Sequence, residues 1–420
     1  MRFIHAADIH LDSPLKGLAA YPDAPAQLLR TATRDAFDRL VTEAIGEAVD
    51  FMVIAGDLYD GNWRDFNTGI HFAGQMGRLH AAGIPVYLLL GNHDAENEMT
   101  RRLELPPNVH RFPSNQAGSF RLPQLKVALH GRSFKEAATT DNLAVHYPDP
   151  VPGWLNIGVL HTALEGNAAH ASYAPCSIAE LQARGYQYWA LGHVHEPRTW
   201  RLPGTTIAYP GNLQGRHIRE PGPRGALMVS ASGSEITAVE PLIVDVLRWH
   251  LLSVDVASAA DLPAVVRHIG QAMEALLLDQ ADAERPIALR IRLHGASAAH
   301  GPLFGLEAQL RAEVLAQVAM LAPGRLWVEK LQLQTTPAAG EQALATRSDA
   351  VADLHALLAQ APDDAALMQA LQDELMMMVG KLPMEVLQAV PVLQDVRAGQ
   401  LQGLVQQVAP ALLSHLAKAG

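Results

Sequence analysis

Cysteine is almost missing from this sequence, since Cys176 is the single thiol in 420 residues. One thiol cannot form a disulfide within the chain, which excludes a disulfide framework and fits a reducing cytosol. It also argues against a soft thiolate metal centre. Basic residues are outnumbered: 32 Lys and Arg face 43 Asp and Glu, for a net charge of −11. The composition is not that of a generic basic nucleic-acid binder, so any contact with DNA must be local or shared with a partner.

Long hydrophobic runs are missing too. No stretch of about 18 uncharged apolar residues occurs, so no membrane span is expected. Met1–Asp12 does not resemble a signal peptide, because Asp8, His10 and Asp12 interrupt any apolar core. Hydrophobic residues still make up 49% of the chain, which is ample for a buried core. With roughly 100–200 residues per domain, the length indicates two or three domains. The single cysteine and the lack of an expected signal peptide or membrane span predict a cytoplasmic protein.

The stretch Phe51–Asp60, FMVIAGDLYD, is the centre of the pattern. Its apolar run predicts a buried parallel strand that ends at Gly56. Asp57 then lies just past the carboxyl end of the strand, where open α/β sheets place their ligands. One such strand is weak evidence, but the chain repeats the construction four more times.

Each repeat ends in a cluster of His, Asp or Asn. The runs are RFIHAADIH, PVYLLLGNHD, LNIGVLH and YQYWALGHVH. Paired residues two apart project the same way from an extended backbone. Seven mixed nitrogen and oxygen donors over-supply one octahedral ion, but they suit two ions of Mn²⁺, Fe or Zn²⁺ that share a bridging carboxylate. The predicted metal ligands are Asp8, His10, Asp57, Asn92, His161, His193 and His195.

The ordered series D-x-H, G-D-x-x-D, G-N-H-D, a lone strand-end His and G-H-x-H resembles the calcineurin-like metallophosphoesterase superfamily. Within it, HAADIHLDSPLKGL and YPGNLQGRHI resemble the bacterial DNA repair exonucleases of the SbcD and YhaO type. The motifs cover about residues 1–245. The resemblance implies a metallophosphoesterase β-sandwich flanked by helices, of mixed α/β (α+β) class.

The resemblance also implies how the ligands are shared. Asp8, His10 and His195 would hold one ion, and Asn92, His161 and His193 the other, with Asp57 as the natural bridge because one carboxylate oxygen can serve both ions. Two divalent ions, most simply Mn²⁺, would neutralise the phosphate, make the attacking hydroxide and stabilise the leaving oxygen.

His93 stands next to a ligand but is predicted not to be one. Its imidazole could protonate the leaving oxygen, with Asp60 orienting it. Some DNA nucleases of the family have His where this chain has Asp60, as phosphatases do, which weakens an exclusive case for DNA. Arg216 and His217 are candidate phosphate contacts. Other charged residues near the motifs are expected to support ligands or to be solvated: Asp12, Asp94, Lys16, Arg64, Arg101 and Arg102.

Periodicity predicts the remaining elements. Helices are expected at 28–48 and 66–82, between strands near 1–7, 51–55 and 85–90, and this alternation indicates a parallel sheet with helices outside. A second sheet packed on the first is expected from short strands at about 125–130, 156–160, 186–191, 206–209 and 225–230.

A change in pattern near residue 241 indicates three domains: residues 1–245, a small β-α-β-α-β domain at 246–336, and a helical C-terminal tail at 337–420. The resemblance implies that the first is the nuclease domain and the second a capping domain. Prolines divide the tail into helices of about 10 to 20 residues, too apolar to remain in water. The tail could pack on the capping domain or, as the resemblance favours, serve as a partner-binding arm.

These features together predict a Mn²⁺-dependent DNA exonuclease or endonuclease subunit in DNA repair, working with an SMC-like ATPase; a homodimer is also compatible with the pattern. Two alternatives remain open. A small-substrate phosphoesterase, acting on a cyclic nucleotide or a phosphoprotein, would use the same metals but has less need of residues 246–420. A non-catalytic regulatory subunit of an ATPase complex would show a missing ligand, and none is missing.

Overall fold

The computed structural model describes residues 1–15, 17, 25–60, 65–96, 105–136, 138–165, 173–280, 285–303, 305–338, 353, 356–358, 360–382, 391–405 and 408–409. Two units can be distinguished. The first comprises Met1–His250 with Arg285–Ala288, and the second comprises Leu251–Glu284 with Leu289–Gly420. Within the described part of the chain, no helix has the length and apolar character needed to cross a membrane.

The first unit contains a six-stranded sheet in which four neighbouring strands are parallel. These are β1 (Arg2–Ala6), β2 (Phe51–Ala55), β3 (Val86–Leu89) and β4 (Val109–Arg111). Two antiparallel strands, β11 (Gly225–Ser232) and β12 (Glu235–Ile243), extend the sheet beside β1. The order is β12-β11-β1-β2-β3-β4, so every strand of the early β-α-β alternation lies in one sheet.

A second six-stranded sheet has the order β5-β6-β7-β8-β10-β9. Strands β6, β7, β8 and β10 are parallel, and the two edge strands are antiparallel to their neighbours. The bounds are β5 (Gly118–Leu122), β6 (Val127–Gly131), β7 (Leu155–His161), β8 (Tyr188–Gly192), β9 (Arg198–Leu202) and β10 (Thr205–Tyr209).

The two sheets pack face to face. Phe3, Phe51 and Val53 of the first sheet share one buried cluster with Ile157 and Tyr188 of the second. Helices α1 (Ala26–Gly46) and α2 (Phe66–Ala81) cover the other face of the first sheet. Helix α4 (Ile178–Ala183) covers the other face of the second, and the short helix α3 (Asn92–Glu96) follows β3. The fold is therefore a mixed α/β sandwich flanked by helices.

The second unit alternates strands and helices. A three-stranded sheet has the order β13 (Arg248–Asp255), β14 (Ile287–Ser297) and β15 (Leu326–Pro337), and the first residues of β13 and β14 belong to the first unit. The connecting helices are α5 (Leu262–Asp279), α6 (His300–Leu303) and α7 (Glu307–Leu321). Further along, α8 (Ala365–Val379) and α9 (Pro391–Arg397) pack together through Val379, Val396 and Leu401.

Most predicted elements are present, but one strand was assigned to the wrong sheet. The strand expected at 225–230 does not belong to the second sheet: β11 pairs with β1 over the register Arg2–Ser230 to His5–Leu227. Such pairing joins chain segments more than 200 residues apart, which no local pattern reveals. Four strands were not predicted, namely β4, β5, β9 and β12. The three-domain division stays a prediction.

Candidate metal centre

The seven predicted ligands follow the carboxyl ends of five strands, three in one sheet and two in the other. The loop after β1 runs beside the loop after β2: Asp8 N donates to Gly56 O at 3.0 Å, and His10 N donates to Asp57 O at 3.0 Å. Within the second sheet, Thr162 N donates to Gly192 O at 3.1 Å. These bonds hold neighbouring loops together within each sheet, and His193 N, which donates to Asp8 Oδ1 at 3.1 Å, joins the loops of the two sheets.

Four of the seven residues have a backbone that L-amino acids rarely adopt. The φ angles are 50° for Asp8, 46° for His10, 53° for Asp57 and 101° for His193. Left-handed backbone costs energy in residues other than glycine, and it persists where the surrounding structure enforces it, often at functional sites. The strain is concentrated where donor side chains are aimed inward.

Glycine lets the loops approach closely. Gly56 has φ +98°, and a Cβ there would lie 2.9 Å from His161 Cγ. A Cβ on Gly91 would clash with Asp57 Oδ1 and lie 2.8 Å from Asp57 N. The glycines of the G-D and G-N-H motifs are therefore required by the packing of the donors.

One cluster contains Asp8, His10 and His195, whose donor atoms lie within 4.8 Å of one another. His10 Nε2 is 3.1 Å from His195 Nε2, and His195 Nε2 is 3.9 Å from Asp8 Oδ1. The Asp8 carboxylate also accepts hydrogen bonds from His193 N at 3.0 and 3.1 Å. Asp8 and His10 are almost completely buried.

A second cluster contains Asp57, His161 and His193. His161 Nε2 lies 2.9 Å from Asn92 Oδ1 and 3.4 Å from Asp57 Oδ2. The two clusters correspond to the two sets of ligands that the resemblance implies for two ions. Asn92, which is expected in the second set, lies beside the second cluster. The assignment of ions to these groups stays a prediction.

The hydrogen-bond partners of two imidazoles indicate which kind of ligand the site binds. His161 Nδ1 lies 3.0 Å from the carbonyl oxygen of Ala55, and His195 Nδ1 lies 2.7 Å from Glu220 Oε1. Both partners are acceptors, so Nδ1 donates to them, and Nε2 is the nitrogen left to face the site. His161 Nε2 faces Asn92 Oδ1 and Asp57 Oδ2, and His195 Nε2 faces His10 Nε2. Convergent acceptors in a buried site fit divalent cations.

The pKa values reflect the same crowding of charge. Burial raises the pKa of Asp8 to about 6, although His195 opposes the shift. Burial would lower the pKa of His161, but the Asp57 carboxylate outweighs it and raises that pKa to about 9. Burial acts to raise the pKa of Asp57, yet His161, His10 and His93 hold it well below its usual range. Asp57 is thus a carboxylate at neutral pH, as a bridging ligand must be.

His93 differs from the other histidines of the site by its exposure. Its side chain is 38% exposed, whereas that of His161 is fully buried. Its backbone N donates to Asp57 Oδ1 at 3.1 Å, and its Nδ1 lies 3.7 Å from Asp60 Oδ1. The same Asp60 oxygen is 3.5 Å from His10 Nδ1. Asp60 therefore faces two imidazoles rather than His93 alone.

The two candidate phosphate contacts lie at the rim. Arg216 Nη1 is 3.2 Å from Ser13 Oγ and 3.6 Å from Asp60 Oδ1, which places its cation beside the donor clusters. His217 Nε2 lies 3.6 Å from Glu220 Oε1. Phosphate contact by either residue stays a prediction. Four cations considered in the sequence lie outside the described residues: Lys16, Arg64, Arg101 and Arg102.

Glu220 is the site residue that sequence reasoning missed. Besides His195 Nδ1, its carboxylate accepts from Asn212 Nδ2 at 2.9 Å and from Arg216 N at 2.7 Å. These bonds hold the imidazole of His195. The one available signal was its place two residues beyond the motif YPGNLQGRHI.

Asp12 and Asp94 were expected to support ligands rather than to bind metal. Asp94 accepts from the backbone N of Leu58, Tyr59 and Gly91 at 3.0 to 3.2 Å, which joins the loops after β2 and β3. Asp12 Oδ1 accepts from Arg34 Nε at 2.5 Å. Asp94 thus braces the loops that carry Asp57 and Asn92.

A helix-flanked β-sandwich with two clusters of carboxylate, imidazole and amide donors at its strand ends is the architecture of a metallophosphoesterase. The calcineurin-like phosphoesterase family model matches residues 1–197, and the model of the metallophosphoesterase YhaO middle domain matches residues 249–336. With the sequence similarity described next, this chain belongs to the calcineurin-like metallophosphoesterase family.

The chain is 32% identical over 298 residues to the uncharacterized metallophosphoesterase YhaO of Bacillus subtilis, covering 70% of this chain and 72% of that protein. It is 28% identical over 239 residues to the DNA double-strand break repair protein Mre11 of Methanopyrus kandleri, covering 50% and 48%. The Mre11 of Haloferax volcanii is 28% identical over 233 residues, covering 54% and 49%. The similarity thus spans about half the length of these two Mre11 proteins.

Proposed function

We propose that this metallophosphoesterase is a DNA nuclease: a two-metal phosphodiesterase acting as an exonuclease or endonuclease subunit in DNA repair. The observation that carries the proposal is the proximity of the seven predicted donors: six form the clusters built on Asp8 and Asp57, and Asn92 lies beside the second, with the partly exposed His93 next to them. The similarity to two proteins described by their names as DNA double-strand break repair proteins supports DNA as the substrate.

The donors would hold two divalent ions, and we propose Mn²⁺. Bound there, the ions would supply charge neutralisation and a nucleophile at neutral pH. The mixed nitrogen and oxygen donors suit Mn²⁺, though Fe and Zn²⁺ accept similar sets. The protein's part is to fix the lone pairs, as Glu220 does for His195 and Ala55 O does for His161.

His93 is proposed as the general acid. Its ring is exposed, so substrate can reach it, and its backbone N is bonded to Asp57, which ties its position to the donors. A proton on Nε2 would pass to the leaving oxygen, while Asp60 Oδ1, 3.7 Å from Nδ1, would orient the ring. We propose that Arg216, whose guanidinium lies beside Ser13 and Asp60, contacts a phosphate oxygen.

We further propose that the chain works with an SMC-like ATPase and resides in the cytoplasm. With a net charge of −11, the chain has little sequence-independent electrostatic affinity for DNA. A partner that binds DNA would supply this affinity. Exposed Met377 and Met378 on α8 suit a surface that adapts to another protein. The single Cys176, buried and free, is consistent with a reducing compartment.

The test compares substrates on one enzyme. Purified protein with Mn²⁺ is offered end-labelled single- and double-stranded DNA and, separately, bis-p-nitrophenyl phosphate. We expect cleavage of DNA that EDTA abolishes and Mn²⁺ restores. Asp57→Asn should abolish both activities, while Asp141→Asn, an exposed carboxylate of the same type, should leave both unchanged.

Cleavage of the small diester with no cleavage of DNA, with and without the ATPase, would contradict the nuclease proposal and favour a small-substrate phosphoesterase. No cleavage of any diester, with metals bound, would favour the regulatory subunit.

A further inference from the structure

An aromatic-walled pocket of about 370 Å³ lies beside the metal centre, on the outer face of the second sheet. Its walls come from the segment after His161, from the segment around His195 and from strand β9. Trp200 and Tyr209 form the aromatic part, and Leu164 and Val194 the aliphatic part. The volume is within the range of small-molecule sites, roughly 300–1,000 Å³.

One face of the pocket already carries a planar group. The guanidinium of Arg198 lies 4.6 Å from the centroid of the Trp200 ring. The ring of Tyr209 stands edge-on to Trp200 with centroids 6.0 Å apart. Tyr209 is fixed because its hydroxyl donates to Thr162 O at 2.7 Å and accepts from Leu164 N at 3.1 Å. The fixed ring of Tyr209 therefore supports the ring of Trp200, and a flat group can stack on the Trp200 face.

Part of the pocket is lined by residues that adjoin metal donors in the chain. Val194 stands between the donors His193 and His195, and Glu196 directly follows. Leu164 and Glu165 follow His161 by three and four residues. Glu165 has a left-handed backbone, φ 57°, as do several donors of the metal centre. A ligand in the pocket would therefore lie close to a substrate bound at the donors.

The charges of the pocket favour a nucleobase over a phosphate. Two carboxylates line it, Glu165 and Glu196, against one cation, Arg198. Glu196 is paired with Arg224 at 3.0 Å, whereas Glu165 Oε1 accepts a long hydrogen bond of 3.5 Å from Ile178 N. Carboxylates repel phosphate but accept hydrogen bonds from the amino groups of bases. Aromatic side chains stack on every base.

We propose that this pocket binds one nucleobase of a substrate strand, next to the phosphodiester at the metal centre. The base stacks on Trp200, with Arg198 covering the other face of the base. The inference rests on the proposed nuclease function and adds to it that the enzyme holds an unpaired base while it cuts.

The test removes the base and the platform separately. Single-stranded oligonucleotides with one abasic residue at successive positions are cleaved with Mn²⁺ under single-turnover conditions. At one position, loss of the base should reduce cleavage by the wild-type enzyme about 5- to 100-fold. Trp200→Leu should reduce cleavage of the intact strand similarly and remove the effect of the abasic residue. Arg198→Ala, a change at an exposed residue, should weaken that effect without affecting folding.

Arg201→Ala is the matched control, since Arg201 is exposed on the same strand but projects from its opposite face. It should keep the full abasic effect, and all three variants should cleave bis-p-nitrophenyl phosphate as the wild type does. Two results would overturn the pocket proposal alone. In the first, the wild type cleaves DNA but an abasic residue at no position reduces cleavage. In the second, the abasic residue reduces cleavage equally in the wild type, Trp200→Leu and Arg198→Ala. Failure of the wild type to cut DNA overturns the nuclease proposal and the pocket together.

Discussion

Asp57 is the side chain that connects the two donor clusters. Its Oδ2 lies 3.4 Å from His161 Nε2, and His10 of the other cluster helps to hold its pKa low. If it bridges, its loss removes a ligand from both ions. We therefore expect Asp57→Ala to lose both ions together, measured as metal content per chain after dialysis, while Asp141→Ala keeps them. Two ions retained by Asp57→Ala would refute the bridging role.

A substitution at His93 should affect catalysis without affecting metal or substrate binding. His93 forms a third close group with His10 and Asp60, but its side chain is 38% exposed and it belongs to neither cluster built on Asp8 and Asp57. His93→Ala should therefore retain both ions and substrate affinity. Turnover of DNA should fall about 10²- to 10⁴-fold, as expected for loss of a general acid. The control is His146→Ala, another exposed histidine. Cleavage at the parent rate removes His93 from the mechanism, and loss of metal makes it a ligand.

Glu220 acts through His195. Glu220→Ala removes the acceptor that fixes the imidazole, so metal affinity should fall about 10- to 100-fold. Glu220→Gln keeps an acceptor oxygen and should recover part of the affinity, which a purely structural role would not require. Titration calorimetry with Mn²⁺ measures both, and the exposed Glu235→Gln is the control. Equal affinities in all variants would show that His195 needs no such support.

At the scale of elements, the centre depends on how closely the strand-end loops approach. A Cβ on Gly91 would clash with Asp57 Oδ1 and lie 2.9 Å from His161 Cε1. Gly91→Ala should lose metal and cost about 1–3 kcal/mol of unfolding free energy, because the loops must separate. Gly74→Ala is the matched control, since nothing lies within 4 Å of a Cβ there, in the middle of α2.

Urea unfolding and metal content measure both glycine variants. Gly74→Ala should retain metal and gain about 0.5–1 kcal/mol, as alanine does over glycine within a helix. Normal metal content in Gly91→Ala would show that the loops tolerate more separation than the contacts indicate.

At the scale of the whole molecule, the tail is the part we propose for partner binding. Its described helices bury Val379, Val396 and Leu401 among themselves, while Met377 and Met378 remain 62% and 67% exposed. Deleting residues 342–420 should leave Mn²⁺-dependent cleavage of bis-p-nitrophenyl phosphate intact and abolish co-purification with the SMC-like ATPase.

A double substitution tests the same surface without truncating the chain. Met377→Ser with Met378→Ser should weaken co-purification and leave cleavage unchanged, because both side chains are exposed. If the truncated chain unfolds or loses its metals, the tail is part of the core and the packing alternative is favoured.

The sequence by itself determined the general form of the fold and which residues are candidate donors. Asp8, Asp57 and Asn92 follow neighbouring parallel strands whose carboxyl ends lie at one edge, so local patterns were enough to place these three near one another. His161 lies in the second sheet, and the packing of the two sheets brought it to them. The β-α-β alternation likewise predicted the sheet of β1, β2 and β3, because strand and helix periodicities are local properties of the chain.

The tertiary structure alone decided which partners meet across long separations. Strand β11 joined the first sheet, Glu220 came to His195, and Asp60 came to lie between His10 and His93. These contacts depend on the path of loops and on the packing of two sheets, which residue type and spacing do not encode. Side-chain hydrogen bonds are chosen by position in space, so the supports of a site are found only after its donors are assembled.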